Sequence, residues 1–295
     1  MFTVFGTARP PFLILSPACV FLAAVIARDV SGALDFFTLS LVMLAALAAH
    51  ISVNALNEHA DFRSGLDCQT ERTPFSGGSG TLVAHPHLER QALALGFISM
   101  LVLVMIGVYL VWLRGLLLLP FGLLGVLVVL LYTDWLTRLP WFCLIAAGLG
   151  FGPLMVTGSI VALTGAAGAA AWWVALPVFC VVNNLLLVNQ LPDAVADRAV
   201  GRRTFPVGFG QHATAVAYLA FVASAIGALL FAAVSAILPF GSLLGLIPLG
   251  GGLVISAALF LRGDSVSVLP PFMVLNVAVA VSFPLLVATG YLFGS

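Results

Sequence analysis

The chain has 295 residues, 62% of them hydrophobic and only 7% charged, with a formal net charge of zero and a mean hydropathy of +1.19. That composition excludes a water-soluble domain. The zero net charge says nothing about partners, and no nucleic acid is expected among them.

Nine apolar runs follow one another: 11–27, 37–56, 92–113, 115–132, 141–163, 171–189, 212–236, 241–261 and 268–292. Each is long enough to cross a ~30 Å hydrocarbon core as a helix. They are continuous and rich in Leu, Ala and Val, unlike the ~10-residue alternating segments of a membrane β-barrel. The expected fold is all-α, a polytopic membrane protein of about nine transmembrane helices in a single membrane domain, 1–295. Residues 1–11 carry one Arg and lead into the first run without a small-residue cleavage site, so that span is expected to be retained.

The second run ends on Asn57-Glu58-His59-Ala60-Asp61 and continues to Asp67; the sixth ends on Asn189-Gln190-Leu191-Pro192-Asp193 and continues to Asp197. Five of the eleven carboxylates fall in these two stretches. Carboxylates beside membrane spans are costly, so a functional site is the default reading. Long polar connections, 57–91 and 190–211, follow the two clusters. The first contains Ser76-Gly77-Gly78-Ser79-Gly80, a hinge or lid, or a wrap for phosphate; without a preceding strand or a Walker lysine it is no nucleotide P-loop. Tyr132 is an interface anchor by default, and Asn183 and Asn184 are expected to bond across helices. Cys19, Cys68, Cys143 and Cys180 are scattered, which argues against a disulfide framework or zinc site.

Every one of the eleven basic residues is Arg. With a cytoplasmic N-terminus and nine alternating spans, all but Arg28 and Arg114 fall on the cytoplasmic side, a strong positive-inside bias. Both acidic clusters then face the cytoplasm, and the expected location is the cell membrane.

The clusters resemble each other. Asn57 precedes Asp61 by four residues, as Asn189 precedes Asp193; Arg72-Thr73 and Arg203-Thr204 follow at nearly equal distances. The shift covers four spans and so preserves orientation, which suggests parallel pseudo-repeat halves of about 1–135 and 136–262 plus a final helix, 268–292, with the site between the halves. Asn54, Asn57, Glu58 and Asp61 share one helical face, and Asn189, Asp193 and Asp197 share another. Hard oxygen ligands without imidazole or thiolate pairs point to Mg2+ rather than zinc. Arg63, Arg72, Arg198, Arg202 and Arg203 lie in the same loops, a makeup suited to holding a diphosphate through the metal.

The block Asn189, Asp193, Asp197-Arg198, Gly201-Arg202-Arg203-Thr204, Val207 and Gly210 resembles that of the UbiA superfamily of intramembrane prenyltransferases. Asn57-Glu58-x-x-Asp61 with Gly65-x-Asp67, together with Tyr132-Thr133 and Phe151-Gly152-Pro153-Leu154, is similar to the menaquinone-pathway (1,4-dihydroxy-2-naphthoate) branch. The resemblance implies nine helices around a central, laterally open cavity. It also implies transfer of a polyprenyl group from polyprenyl diphosphate to a small, often aromatic acceptor, as in quinone biosynthesis. Carried over residue by residue, Asp61, Asp67, Asp193 and Asp197 hold magnesium–diphosphate, Glu58 stands where the family usually has Asp, and Asn57 and Asn189 assist. Arg72 and Arg203 contact phosphate, with Arg63, Arg202 and Tyr132 as further substrate-binding candidates; Asp61, Asp193 and Asp197 are the catalytic candidates. The branch's glycine-rich stretch ending in Glu is replaced here by 134–141 with Leu139-Pro140. A tetrapyrrole or glycerophosphate acceptor stays open, as does a cation- or proton-coupled transporter.

Overall fold

The computed structural model describes residues 4–70, 72–73, 75–262 and 270–294; the first residues of the run predicted at 268–292 lie outside that set. Among the described residues the chain is helical without a strand. Eight helices are long and apolar enough to cross a membrane: α1 Pro10–Ser31, α2 Phe36–Arg63, α3 Pro86–Arg114, α5 Pro140–Thr164, α6 Ala169–Ala199, α7 Phe205–Val234, α8 Phe240–Leu261 and α9 Pro271–Gly294. The apolar helix α4, Leu116–Leu131, is shorter. Its 13-residue α-helical part rises only about 20 Å, against a core of about 30 Å. The run predicted at 115–132 is therefore a helix, but short of a full crossing by its own length.

The helices carry large apolar side chains on their outer surface, among them Phe36, Leu116 and Ile247, because lipid rather than water surrounds them. Exposed Trp112 and Trp172 sit toward one end of the bundle, Trp135 and Trp141 toward the other, as aromatic belts do at the two interfaces. Asp35 caps α2 by accepting from the backbone N–H groups of Phe37 (3.1 Å) and Thr38 (3.3 Å), which satisfies donors the first turn cannot.

Helix α1 packs against α2, α5 and α9, and α6 packs against α5 and α7. Leu22, Val178, Leu229, Leu249 and Phe283 join α1, α6, α7, α8 and α9 into a filled core. On its other side the bundle is hollow. A cavity of about 840 Å³ is lined by residues no later in the chain than Thr204, so α1–α6 and their connections form its wall.

Two departures from a regular helix shape that wall. The backbone of α5 widens into π-type turns over Gly150–Thr157, with Pro153 inside; such bulges bend a helix and cluster at functional sites. In α7, Gly210 takes a non-helical φ of +77°, a region that favours glycine, so the expected start at 212 is preceded by a separate short turn from Phe205. Helix α6, by contrast, continues through Pro192.

Close packing of α5 on α6 depends on two absent side chains. A Cβ on Gly148 stands 2.3 Å from the Phe179 carbonyl oxygen, and one on Gly152 2.5 Å from that of Ala175. The Gly148 N–H donates to Asn183 Oδ1 at 2.6 Å. Asn184 Nδ2 donates to the Tyr218 carbonyl at 3.1 Å. Both asparagines thus bond across helices as expected. Gly148→Ala is expected to destabilise the protein by roughly 1–3 kcal/mol through overpacking, read as a lower thermal midpoint in detergent. Gly107→Ala, whose Cβ meets nothing, should leave the midpoint unchanged or higher.

Candidate active site

The C-terminal ends of α2 and α6 converge at one end of the cavity. Asn57 and Asp61 from α2, Asp67 just beyond it, and Asn189, Asp193 and Asp197 from α6 all line it. Both clusters therefore serve one space, as their even separation in spans required. Arg202, on the connection after α6, ties them together. Its Nη2 bonds Asp61 Oδ1 in a short contact, and its Nη1 stands 3.5 Å from Asp197 Oδ1. Asn57 Nδ2 donates to Asp61 Oδ2 at 2.7 Å, Thr133 Oγ1 donates to Asn57 Oδ1 at 3.2 Å, and Thr204 Oγ1 donates to Asp197 Oδ2 at 3.3 Å.

The Ser76–Gly80 segment runs across the mouth rather than away from it. The Gly77 N–H donates to Asp193 Oδ2 at 3.1 Å, and the Ser79 N–H to Glu58 at 3.0 Å. Gly78, at φ +73°, lies so close to Asp67 that a Cβ stands 2.6 Å from Oδ1. Of the two roles expected for this glycine-rich stretch, the geometry matches a lid: its backbone donors meet carboxylates.

Several expected site residues lie elsewhere. Glu58 is fully buried but is not part of the cavity wall; besides Ser79 it holds Arg9, whose Nη2 is 3.2 Å from Oε2. At a helical step of 100° from Asn57, its carboxylate faces the start of α1 instead. Arg63 points outward and pairs with Glu89 at 3.3 Å, since it falls on the opposite face of α2 from Asn57 and Asp61. Arg72 and Arg203 are exposed and outside the lining. The Arg72 guanidinium lies against Gly80, and the Arg203 backbone N–H donates to the Thr137 carbonyl at 2.8 Å. Arg198 donates to the Val207 carbonyl at 3.4 Å. Tyr132 does line the cavity, so it is more than an interface anchor.

Arg9 went unrecognised in the sequence except as a topogenic charge. It lines the cavity because the segment before α1 folds back over α2, where Asn54 Nδ2 donates to the Ala8 carbonyl at 2.9 Å. Its one legible signal was being the sole cation before the first span.

The donor set fits a hard divalent cation. Asp67 Oδ2, Asp193 Oδ1 and Asn189 Oδ1 are buried without a hydrogen-bond partner, and unpaired buried oxygens of this kind call for a cation or a donor. Among the described residues no three His, Cys, Asp or Glu side chains already form a metal cage; a cation held here would draw on oxygens from both helix ends, Asn carbonyls included. Burial first, then the neighbouring Glu58 and Asp61 charges, push the Asp67 carboxyl up to about 7. In unfolded chain an Asp ionises near 3.9. Below that both states are protonated and nothing is lost; between about 4 and about 7 the folded protein keeps a proton the unfolded one has released, so stability falls across that window and levels off above it. The metal-free protein should therefore melt at progressively lower temperature from about pH 4 to about pH 7, with a shallower slope in Asp67→Asn. Magnesium should oppose the loss.

The profile of the UbiA prenyltransferase family matches residues 14–282. The chain is 27% identical over 214 residues to the 1,4-dihydroxy-2-naphthoate octaprenyltransferase of Bacillus subtilis, covering 72% of this chain and 67% of that one. Among solved structures, a UbiA homologue from Aeropyrum pernix K1 superposes with a TM-score of 0.73 at 20% identity, covering 95% of this chain and 97% of that one. A UbiA homologue from Archaeoglobus fulgidus, solved bound to DMAPP and Mg2+, superposes with a TM-score of 0.67 at 13% identity, covering 97% and 99%.

Proposed function

This chain belongs to the UbiA prenyltransferase family, and from that premise we propose magnesium-dependent transfer of a polyprenyl group from polyprenyl diphosphate to a small aromatic acceptor of the naphthoate type, as in quinone biosynthesis. The observation that carries the reading is the division of the cavity. Carboxylates of both clusters meet across one guanidinium at its mouth, and the rest is walled by apolar side chains such as Leu110, Val129 and Leu154. A charged head and an apolar tail need such a space.

Asp61, Asp67, Asp193 and Asp197, with Asn57 and Asn189, are the residues to hold magnesium–diphosphate; Asp61, Asp193 and Asp197 are the catalytic carboxylates. When bound, magnesium supplies positive charge to the departing diphosphate and eases rupture of the allylic C–O bond. Arg202 and Arg9 add fixed positive charge beside the same oxygens. The Ser76–Gly80 strap and the apolar wall keep water from the allylic carbon. The arginine distribution supports a cytoplasmic mouth, and the matching Asn, Asp and Arg-Thr elements on α2 and α6 support pseudo-repeat halves within one membrane domain. The carboxylates gather at helix ends rather than at span centres, which disfavours a cation- or proton-coupled transporter.

The test is purified protein in nanodiscs with a radiolabelled polyprenyl diphosphate and 1,4-dihydroxy-2-naphthoate. Diphosphate release and a prenylated product, both lost with EDTA, are expected. Ion flux in proteoliposomes without diphosphate release overturns the reading; product with a glycerophosphate or tetrapyrrole but not with the naphthoate overturns the acceptor.

A further inference from the structure

His50 lies in the cavity wall of α2, seven residues before Asn57 and so about 10 Å deeper along the same face. It is 7% exposed, within a span where a titratable side chain is expensive and marks function by default. The ring is fixed from two sides. Nδ1 is 2.9 Å from Ser16 Oγ of α1, and Phe151, at the π-type turns of α5, meets it edge-on with centroids 5.0 Å apart. The other nitrogen, Nε2, has no hydrogen-bond partner among the described residues and is not sealed away from the cavity. Nothing in the carboxylate end accounts for this arrangement. Among the described residues the charged group that acts on His50 is Arg9, just before α1; α5 presents Phe151 and α1 presents Ser16.

Resting on the proposed prenyl transfer, we infer that His50 is the acceptor-side base: Nε2 takes the hydroxyl proton of a hydroxyaromatic acceptor lying between it and the carboxylates. With Nδ1–H donating to Ser16 Oγ, the Nε2 lone pair points to the cavity, the tautomer a base needs. The allylic C–O bond breaks and its electron pair leaves on the diphosphate. As the acceptor O–H proton passes to Nε2, the oxygen's electrons enter the ring and a ring carbon forms the new C–C bond. The ring proton passes to the departing diphosphate, which restores aromaticity, and Nε2 returns its proton to the acceptor oxygen, so one proton in all leaves with the diphosphate.

The experiment compares wild type with His50→Gln, His50→Ala and Ser16→Ala, following two reactions of the same donor: prenyl transfer to the naphthoate and acceptor-independent release of diphosphate. Proton transfer by a positioned side chain is worth roughly 10²–10⁴-fold. His50→Ala should lose transfer by at least about a hundredfold, Ser16→Ala by less, while diphosphate release without acceptor and magnesium-dependent thermal stabilisation stay at wild-type values. In the residual transfer of His50→Ala, dependence on the acidity of the acceptor hydroxyl should steepen. Wild-type transfer in both His50 variants overturns the inference. So does a parallel fall of transfer and diphosphate release, which marks a structural role. Failure of wild type to release diphosphate at all instead overturns the proposed function.

Discussion

Asp193→Asn and Asp61→Asn are each expected to lower prenyl transfer by roughly a thousandfold or more while leaving the protein folded. The two carboxylates come from different helices, α6 and α2, and line one cavity. In the proposed reaction each removal would deprive a divalent cation of one anionic ligand in a site already partly neutralised by Arg9 and Arg202. A loss of about 4 kcal/mol in stabilising the departing diphosphate, within the several kcal/mol that metal coordination contributes, corresponds to about a thousandfold in rate. Asp193 is the more telling of the pair. Its Oδ1 is buried without a partner, so the folded protein loses little when that oxygen becomes an amide. Single-turnover rates at saturating magnesium, alongside thermal midpoints, separate chemistry from folding. Rates within tenfold of wild type in both variants would remove the carboxylates from the mechanism.

Arg202→Met is expected to do two things at once. It strands Asp61 and Asp197, both buried, facing each other without the cation that now touches both. Removing one partner of a buried ionic network costs about 3–5 kcal/mol, so the metal-free protein should melt well below wild type. Saturating magnesium should return part of that loss, because a divalent cation neutralises the same oxygens. Transfer should still fall by about a hundredfold, since a cation beside the diphosphate is gone. Arg202→Lys should rescue stability only partly, because a point charge cannot span two carboxylates as the guanidinium fork does. An unchanged midpoint with an unchanged magnesium response would show that the bridge is idle.

The route from sequence to site succeeded where periodicity and parity decide the outcome. Asn57 and Asp61 are four residues apart and share a face on any α-helix. The same holds for Asn189, Asp193 and Asp197, even through Pro192, where α6 continues. Glu58 shows the limit. It stands beside Asn57 in sequence and within the motif, yet its carboxylate turns to Arg9 and Ser79. Arg63 was expected among the substrate-binding residues and Arg203, by the family resemblance, at the phosphate; the structure places both outside the cavity lining, because neighbours in sequence differ by about 100° around a helix and by whole loop geometries beyond it. Arg9 and His50 were passed over for the opposite reason: neither belongs to a cluster, and each becomes chemical only when another helix is laid beside it.

Composition and hydropathy alone determined that this is a helical membrane protein, because no water-soluble core accommodates so many long apolar runs. The even number of spans between the two acidic clusters determined that they share one side. Only the tertiary structure decided that Arg202 links the clusters, that the glycine-rich strap crosses the mouth, and that α1–α6 enclose the cavity while α7–α9 fill in behind. Those outcomes depend on which helical faces meet, and that is set by packing between segments far apart in the chain, such as Gly148 and Gly152 against α6, rather than by any local pattern.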